Sequence, residues 1–120
     1  MFLFYSKKTE LHHKNYDIII EIHKNIKHKK LLFAIFAEKL HFPHYFGSNW
    51  DAFYDCLCNL EYSNPTKILI LHEDLPFKNS ATDRSAYVNI LVDMESNIAK
   101  DDCYKIDIAL PSRYRKLCVS

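Results

Sequence analysis

The stretch YDIIIEI, Tyr16–Ile22, decides how this chain folds. Four of its seven residues are isoleucine, whose branched Cβ favours extended backbone. Apolar side chains fall on both faces without alternation, as in a strand covered on both sides, which is the habit of parallel sheets. KILILH at Lys67–His72 and KIDIAL at Lys105–Leu110 repeat the type, and Pro111 closes the last. Between the first two runs, Leu32, Phe33, Ile35, Phe36 and Leu40 recur at steps of three and four, predicting an amphipathic helix over 29–40. A loop over 41–47 follows, broken at Pro43. Ser48, with Asp51 three residues on, predicts a capped second helix over 49–60. After the loop EDLPFKNS, Ser80 with Asp83 predicts a third helix running to about Ala99, its apolar stripe made by Tyr87, Leu91, Met94 and Ile98. The order β, α, α, β, α, β implies an α/β fold: a small, mainly parallel three-stranded sheet covered by helices, with right-handed crossovers. MFLFYS at the N-terminus reads as an extra edge strand, and RYRKLCV after Pro111 as another or as a basic tail.

Composition narrows the possibilities. The 120 residues, 48% hydrophobic with no linker or internal repeat, are expected to form one domain over 1–120. The longest apolar run, LLFAIFA, is far short of the roughly 20 residues that span a bilayer. MFLFYSKK has its charge after its apolar residues, unlike a secretory signal, so a cytoplasmic protein is expected. A net charge of +1 favours neither a general nucleic-acid binder nor an acidic protein, and function must be local. A single glycine leaves no glycine-rich loop for a nucleotide phosphate. Cys56, Cys58, Cys103 and Cys118 are read as reduced thiols; the first two sit about 200° apart on a helix and cannot share a metal. No cofactor or metal is expected.

The second predicted helix concentrates unusual chemistry. On a helical wheel Phe53, Cys56, Leu57 and Leu60 form the core face, while Asp51, Tyr54, Asp55 and Cys58 lie opposite with Trp50 at the border. Asp51 and Asp55 stack one turn apart, where like charges repel. Such a face is either ordinary solvated surface or a binding surface, since aromatics around carboxylates are hot-spot composition and a rigid acidic array suits a site that grips phosphates. An acid/base pair with His44 is a third reading, but a protruding helix face provides no cleft. No catalytic residue is expected.

FPHYFGSNWDAFYDCL, from Phe42 to Leu57, resembles the barstar family of ribonuclease inhibitors: a Pro, a Tyr-aromatic-Gly turn, an Asn, then Asp-Ala-aromatic-aromatic-Asp-Cys-Leu along a helix. The element order is similar too. The resemblance implies a proteinaceous inhibitor, an antitoxin or immunity protein, that blocks a secreted or toxin-type ribonuclease as a monomer in a 1:1 complex. It implies that Tyr45 contacts the nuclease from the loop, that Gly47 makes the turn, and that Asn49 and Trp50 open the contact helix. Asp51 and Asp55 would be the acidic contacts, with Asp55 standing in for a substrate phosphate. Tyr54 occupies a position where the family often has tryptophan, Cys56 matches the family's core-side helix cysteine, and Cys58 and Asn59 would close the contact helix. A further acid is expected near the end of the third helix, with Glu95 the candidate. Family members are typically strongly acidic, and this chain is not.

HKNIKHKK, His23–Lys30, carries four lysines and two histidines and reads as a solvated loop and helix start. The alternative function is a nucleic-acid-binding or regulatory module using this run and the C-terminal tail. Pro43 breaks the geometry that would bring His41 and His44 onto a metal. The leading reading needs no direct nucleic-acid contact and no membrane.

Overall fold

A computed structural model of the chain describes residues 1–43, 46–98 and 103–118. Its elements are β1 (Phe2–Tyr5), β2 (Ile18–Ile22), α1 (Lys29–Leu40), α2 (Trp50–Cys58), β3 (Thr66–His72), α3 (Ala81–Ile98), β4 (Tyr104–Pro111) and a last single turn, α4 (Arg115–Cys118). The four strands form one sheet in the order β1-β4-β3-β2, and every pair is parallel. The three expected strands are its inner pair and one edge, and the N-terminal segment is the edge strand read from MFLFYS. The C-terminal segment is neither a strand nor a free tail: residues 112–118 turn into short helix.

Register explains the layering. Ile20, Ile70, Ile108 and Phe2 align across the four strands, and this row meets the helices in the main core with Phe33, Phe36, Phe53, Leu57, Tyr87 and Leu91. The alternate residues Leu71, Ala109 and Leu3 point the other way, because side chains alternate along a strand. Among the described residues no α-helix side chain belongs to the cluster on that face. β1 and β2 occupy opposite edges yet run parallel, so residues 6–17 must cross β4 and β3 to connect them. That crossing, with two short 3-10 turns, lays Leu11 and Tyr16 on the second face. Tyr16 Oη also donates to Asp107 Oδ2 at 2.6 Å.

Polar groups tie the C-terminal strand ends together. His72 is fully buried. Its Nδ1 lies 2.9 Å from Ala109 O and its Nε2 2.6 Å from Tyr87 Oη. A carbonyl only accepts, so Nδ1 carries the proton and Tyr87 donates to Nε2. Asp74, at the start of the β3–α3 loop, accepts from Leu75 N and Arg113 Nη2, from Tyr114 Oη, and pairs with Lys78 at 2.8 Å. Burial would raise its carboxyl, but these donors outweigh it and hold the group well below the usual carboxylate range. The C-terminal turn is thereby fastened to the loop that leads into α3.

α2 begins one residue later than a Ser48 cap predicts, because the cap is Asn49. Asn49 is extended and its Oδ1 accepts from Ala52 N at 2.8 Å. Ser48 instead takes a left-handed conformation, φ 52°, so the box expected between Ser48 and Asp51 does not form. The helix stops at Cys58, short of Leu60. Asn59 Nδ2 donates to Asp55 O at 2.7 Å, and the buried Tyr104 hydroxyl donates to Leu57 O at 2.9 Å, so the final carbonyls are satisfied without another turn. α3 starts as expected, with Asp83 N donating to Ser80 Oγ at 3.2 Å.

Burial pushes the His72 pKa down from 6.5 to about 4, despite its bond to Ala109 O. The unfolded chain then binds the extra proton between those values, so stability falls as pH drops from about 6.5 to about 4, by up to about 3 kcal/mol from this group. Urea denaturation of His72→Gln should show a flatter stability profile in that window, and an unchanged slope would contradict the assignment. In the same assay Asn49→Ala should cost about 1 kcal/mol and Ser48→Ala clearly less; the reverse order would restore Ser48 as the cap.

Candidate functional site

α2 is seated by aromatic rings. Phe53 is fully buried, with its ring 4.9 Å from Phe36 and 5.2 Å from Phe33. Trp50, half-buried, lies edge-on to Phe33 at 4.9 Å and to Phe77 at 5.8 Å. Its indole N–H donates to Asp83 Oδ1 at 3.3 Å in the first turn of α3. Trp50 is therefore a wedge between helices as well as the residue that opens the expected contact helix.

The far flank of α2 differs from the wheel. Tyr54 and Cys58, expected opposite the core, both pack against it, whereas Cys56 is half-buried and outside the main cluster. The wheel assumed one covered side, but α2 lies against α1 through Phe33 and Phe36 and against α3 through Tyr87 and Asn97, so two flanks are shielded. Asn97 Nδ2 donates to Tyr54 Oη. Tyr54 also hydrogen-bonds Cys58, and burial pushes both of their pKa values up. These thiols are not activated nucleophiles.

What remains outward is the acidic pair. Asp51 and Asp55 are exposed, and among the described residues neither carboxylate has an ion pair or a side-chain hydrogen bond. Asp51 sits in the first turn, where the helix dipole favours an anion. Asp55 sits one turn in, its backbone held by Asn59. Both side chains project from backbone that is capped at each end and packed on two flanks. Unpaired charges on so fixed a frame cost little reorganisation when a cationic partner arrives.

Tyr45, with His44, lies outside the described residues. Gly47 is not in a left-handed conformation; a Cβ there would meet Asn49 Nδ2 at 3.3 Å, crowding the residue that caps α2. Asn49 and Asn59 are exposed at the two helix ends. Glu95 is not brought to this surface: its carboxylate pairs with the Met1 ammonium at 3.4 Å, near Asp107 and β4. The acid in the later half of α3 that lies beside α2 is Asp93, exposed and close enough to Tyr54 and Cys58 to raise both groups. Asp93 and Glu95 flank the buried Met94 on opposite sides, so only knowledge of which side α2 occupies distinguishes them. Asp93 and Asn97, four apart, share the face that meets Tyr54.

Among the described residues no group of three or more His, Cys, Asp or Glu side chains could hold a metal ion, and no helix is long and apolar enough to cross a membrane.

The profile of a protein family described as Barstar (barnase inhibitor) matches residues 18–108, from the start of β2 into β4. The match includes all of α2 and leaves out β1 and the C-terminal turn. No individual curated protein matches the chain. With most of its length, β2, β3 and all of α1, α2 and α3 inside the match, the chain belongs to the Barstar family.

Proposed function

We propose that this protein is a stoichiometric inhibitor of a ribonuclease, an antitoxin or immunity protein that works in the cytoplasm by covering the enzyme's active site and catalyses nothing itself. The observation that carries this reading is the acidic pair: Asp51 and Asp55 stand exposed on a helix clamped on two sides, with no ion-pair partner among the described residues. A ribonuclease must present cationic groups where its substrate's phosphates bind. Two carboxylates one helical turn apart offer those groups a fixed anionic substitute, with Asp55 in the place of a phosphate and Asp51 beside it. In the complex Tyr54 and Trp50 flank the pair and Tyr45 contacts the enzyme from the preceding loop, excluding water, which strengthens each charged contact. Gly47 leaves room for the Asn49 cap, and Asn49, Cys58 and Asn59 complete the helix that carries the contact. Asp93, on the neighbouring helix, extends the acidic surface toward the C-terminal end of α2. The complex is 1:1, since one helix fills one cleft.

The direct test is a ribonuclease assay, with and without this protein, on barnase and on any small nuclease encoded beside its gene. Asp55→Ala should weaken inhibition by about 2 kcal/mol or more, roughly 30-fold in Kd. Glu10→Ala, remote from α2, should leave it unchanged. Equal effects of the two substitutions, with the fold intact by circular dichroism, would dismiss the assignment.

A further inference from the structure

α2 is nine residues long. Alone, so short a helix is marginal in water, and Asp51 and Asp55 add mutual repulsion across a single turn. For the pair to meet fixed cationic groups, its backbone must be held from outside. α3 holds it through two hydrogen bonds. Trp50 Nε1 donates to Asp83 Oδ1 at 3.3 Å, and Asn97 Nδ2 donates to the Tyr54 hydroxyl.

A buried indole N–H needs an acceptor for stability alone, but the placement of these two bonds goes beyond that need. Trp50 and Tyr54 are four residues apart, about 6 Å along α2, whereas Asp83 and Asn97 are fourteen apart, about 21 Å along α3. The two aromatic side chains therefore splay, one to the first turn of α3 and the other to its last. Supports so spread resist rolling and rocking of α2 better than two contacts side by side. Between them the buried Tyr87 lies 6.3 Å from both Trp50 and Phe53. The start of the brace is itself fixed: Asp83 N donates to Ser80 Oγ at 3.2 Å, and the neighbouring Arg84 donates to the carbonyls of Leu75 and Pro76 at 3.1 and 3.2 Å. Each braced aromatic directly precedes an acid, Trp50 before Asp51 and Tyr54 before Asp55. The backbone that aims each carboxylate is thus tied to α3 one residue earlier.

We propose that Asp83 and Asn97 are positioning residues of the docking face. They touch no partner themselves; they hold Trp50 and Tyr54, and through them keep Asp51 and Asp55 in the arrangement that matches the phosphate-binding groups of a ribonuclease. This rests on the reading of α2 given above. Asp83 differs from the two contact acids in its surroundings, being half-buried and hydrogen-bonded where Asp51 and Asp55 are exposed.

Conservative exchange separates bracing from charge. Asp83→Ala should raise about fivefold the Kd for whichever of barnase and a neighbouring nuclease the protein inhibits. Asp83→Asn, which removes the charge but keeps an oxygen acceptor, should recover most of that loss. Equal weakening by both would make Asp83 an electrostatic contact and overturn the proposal. Asn97→Ala should also weaken binding about fivefold, and it should add nothing in the Tyr54→Phe background, where no hydroxyl remains to be held. A further loss in that background would overturn the role of Asn97. A second arm needs no ribonuclease. The chain has one tryptophan, so its single indole N–H resonance reports the bond to Asp83 and should move clearly further in Asp83→Ala than in Asp83→Asn. Amide hydrogen exchange over residues 51–55 should quicken in both alanine variants. Unchanged exchange there, with inhibition by wild type intact, overturns the brace alone. If wild type inhibits neither enzyme while exchange quickens as expected, the inhibitor reading falls and takes this docking role with it.

Discussion

Everything presented by this protein depends on how Trp50 and Phe53 are seated. Phe33 and Phe36 of α1, Phe77 of the β3–α3 loop and Tyr87 of α3 surround the two rings at centroid distances from 4.9 to 6.3 Å. Contacts of this kind are individually small, but they fix orientation, because edge-to-face geometry is directional. With two of its sides occupied and both ends capped, α2 has one sector left for solvent. That sector carries Asp51 and Asp55. The same seating runs outward to the rest of the fold: Tyr87 reaches the buried His72, and Phe77 belongs to the loop anchored at Asp74. Residues 1–17 and 109–118, outside the family match, converge there, through Tyr5 on the His72 carbonyl and Arg113 and Tyr114 on Asp74.

Much of this is legible in the sequence, for physical reasons that can be named. Isoleucine runs without alternation report strands buried on both faces, and the spacing of Leu32, Phe33, Phe36 and Leu40 reports α1 residue for residue. The dense motif from Phe42 to Leu57 places the acidic pair and its helix. Hidden instead are the features set by the third dimension. A wheel assigns one buried side, so it puts Tyr54 and Cys58 in solvent and Cys56 in the core, whereas a helix between two others loses both flanks. Serine and asparagine cap helices about equally well, so sequence cannot choose between adjacent Ser48 and Asn49 until the left-handed turn at Ser48 is seen. Asp93 and Glu95 straddle the stripe of α3, and only the side on which α2 packs separates them. RYRKLCV has no period that reveals its attachment, which comes from Arg113 and Tyr114 meeting a buried carboxylate 39 and 40 residues earlier.

The charge pattern extends the account from how the helix is held to what it can hold. The basic run at the start of α1 and the acidic pair on α2 give the surface both signs of charge at a net charge of +1. Such a surface gains less from long-range attraction, which follows net charge, and more from short-range complementarity, which follows arrangement. Selectivity for one enzyme among many that bind phosphates would come from that arrangement.

The central claim is that the carboxylates of α2 occupy the place of a substrate phosphate. It is tested most directly by measuring the apparent Kd for the ribonuclease against rising concentrations of a nucleotide that fills the enzyme's phosphate site. The account predicts strict competition, the apparent Kd growing in proportion to occupancy of that site and the dependence fading in Asp55→Ala. An apparent Kd indifferent to the nucleotide would contradict it.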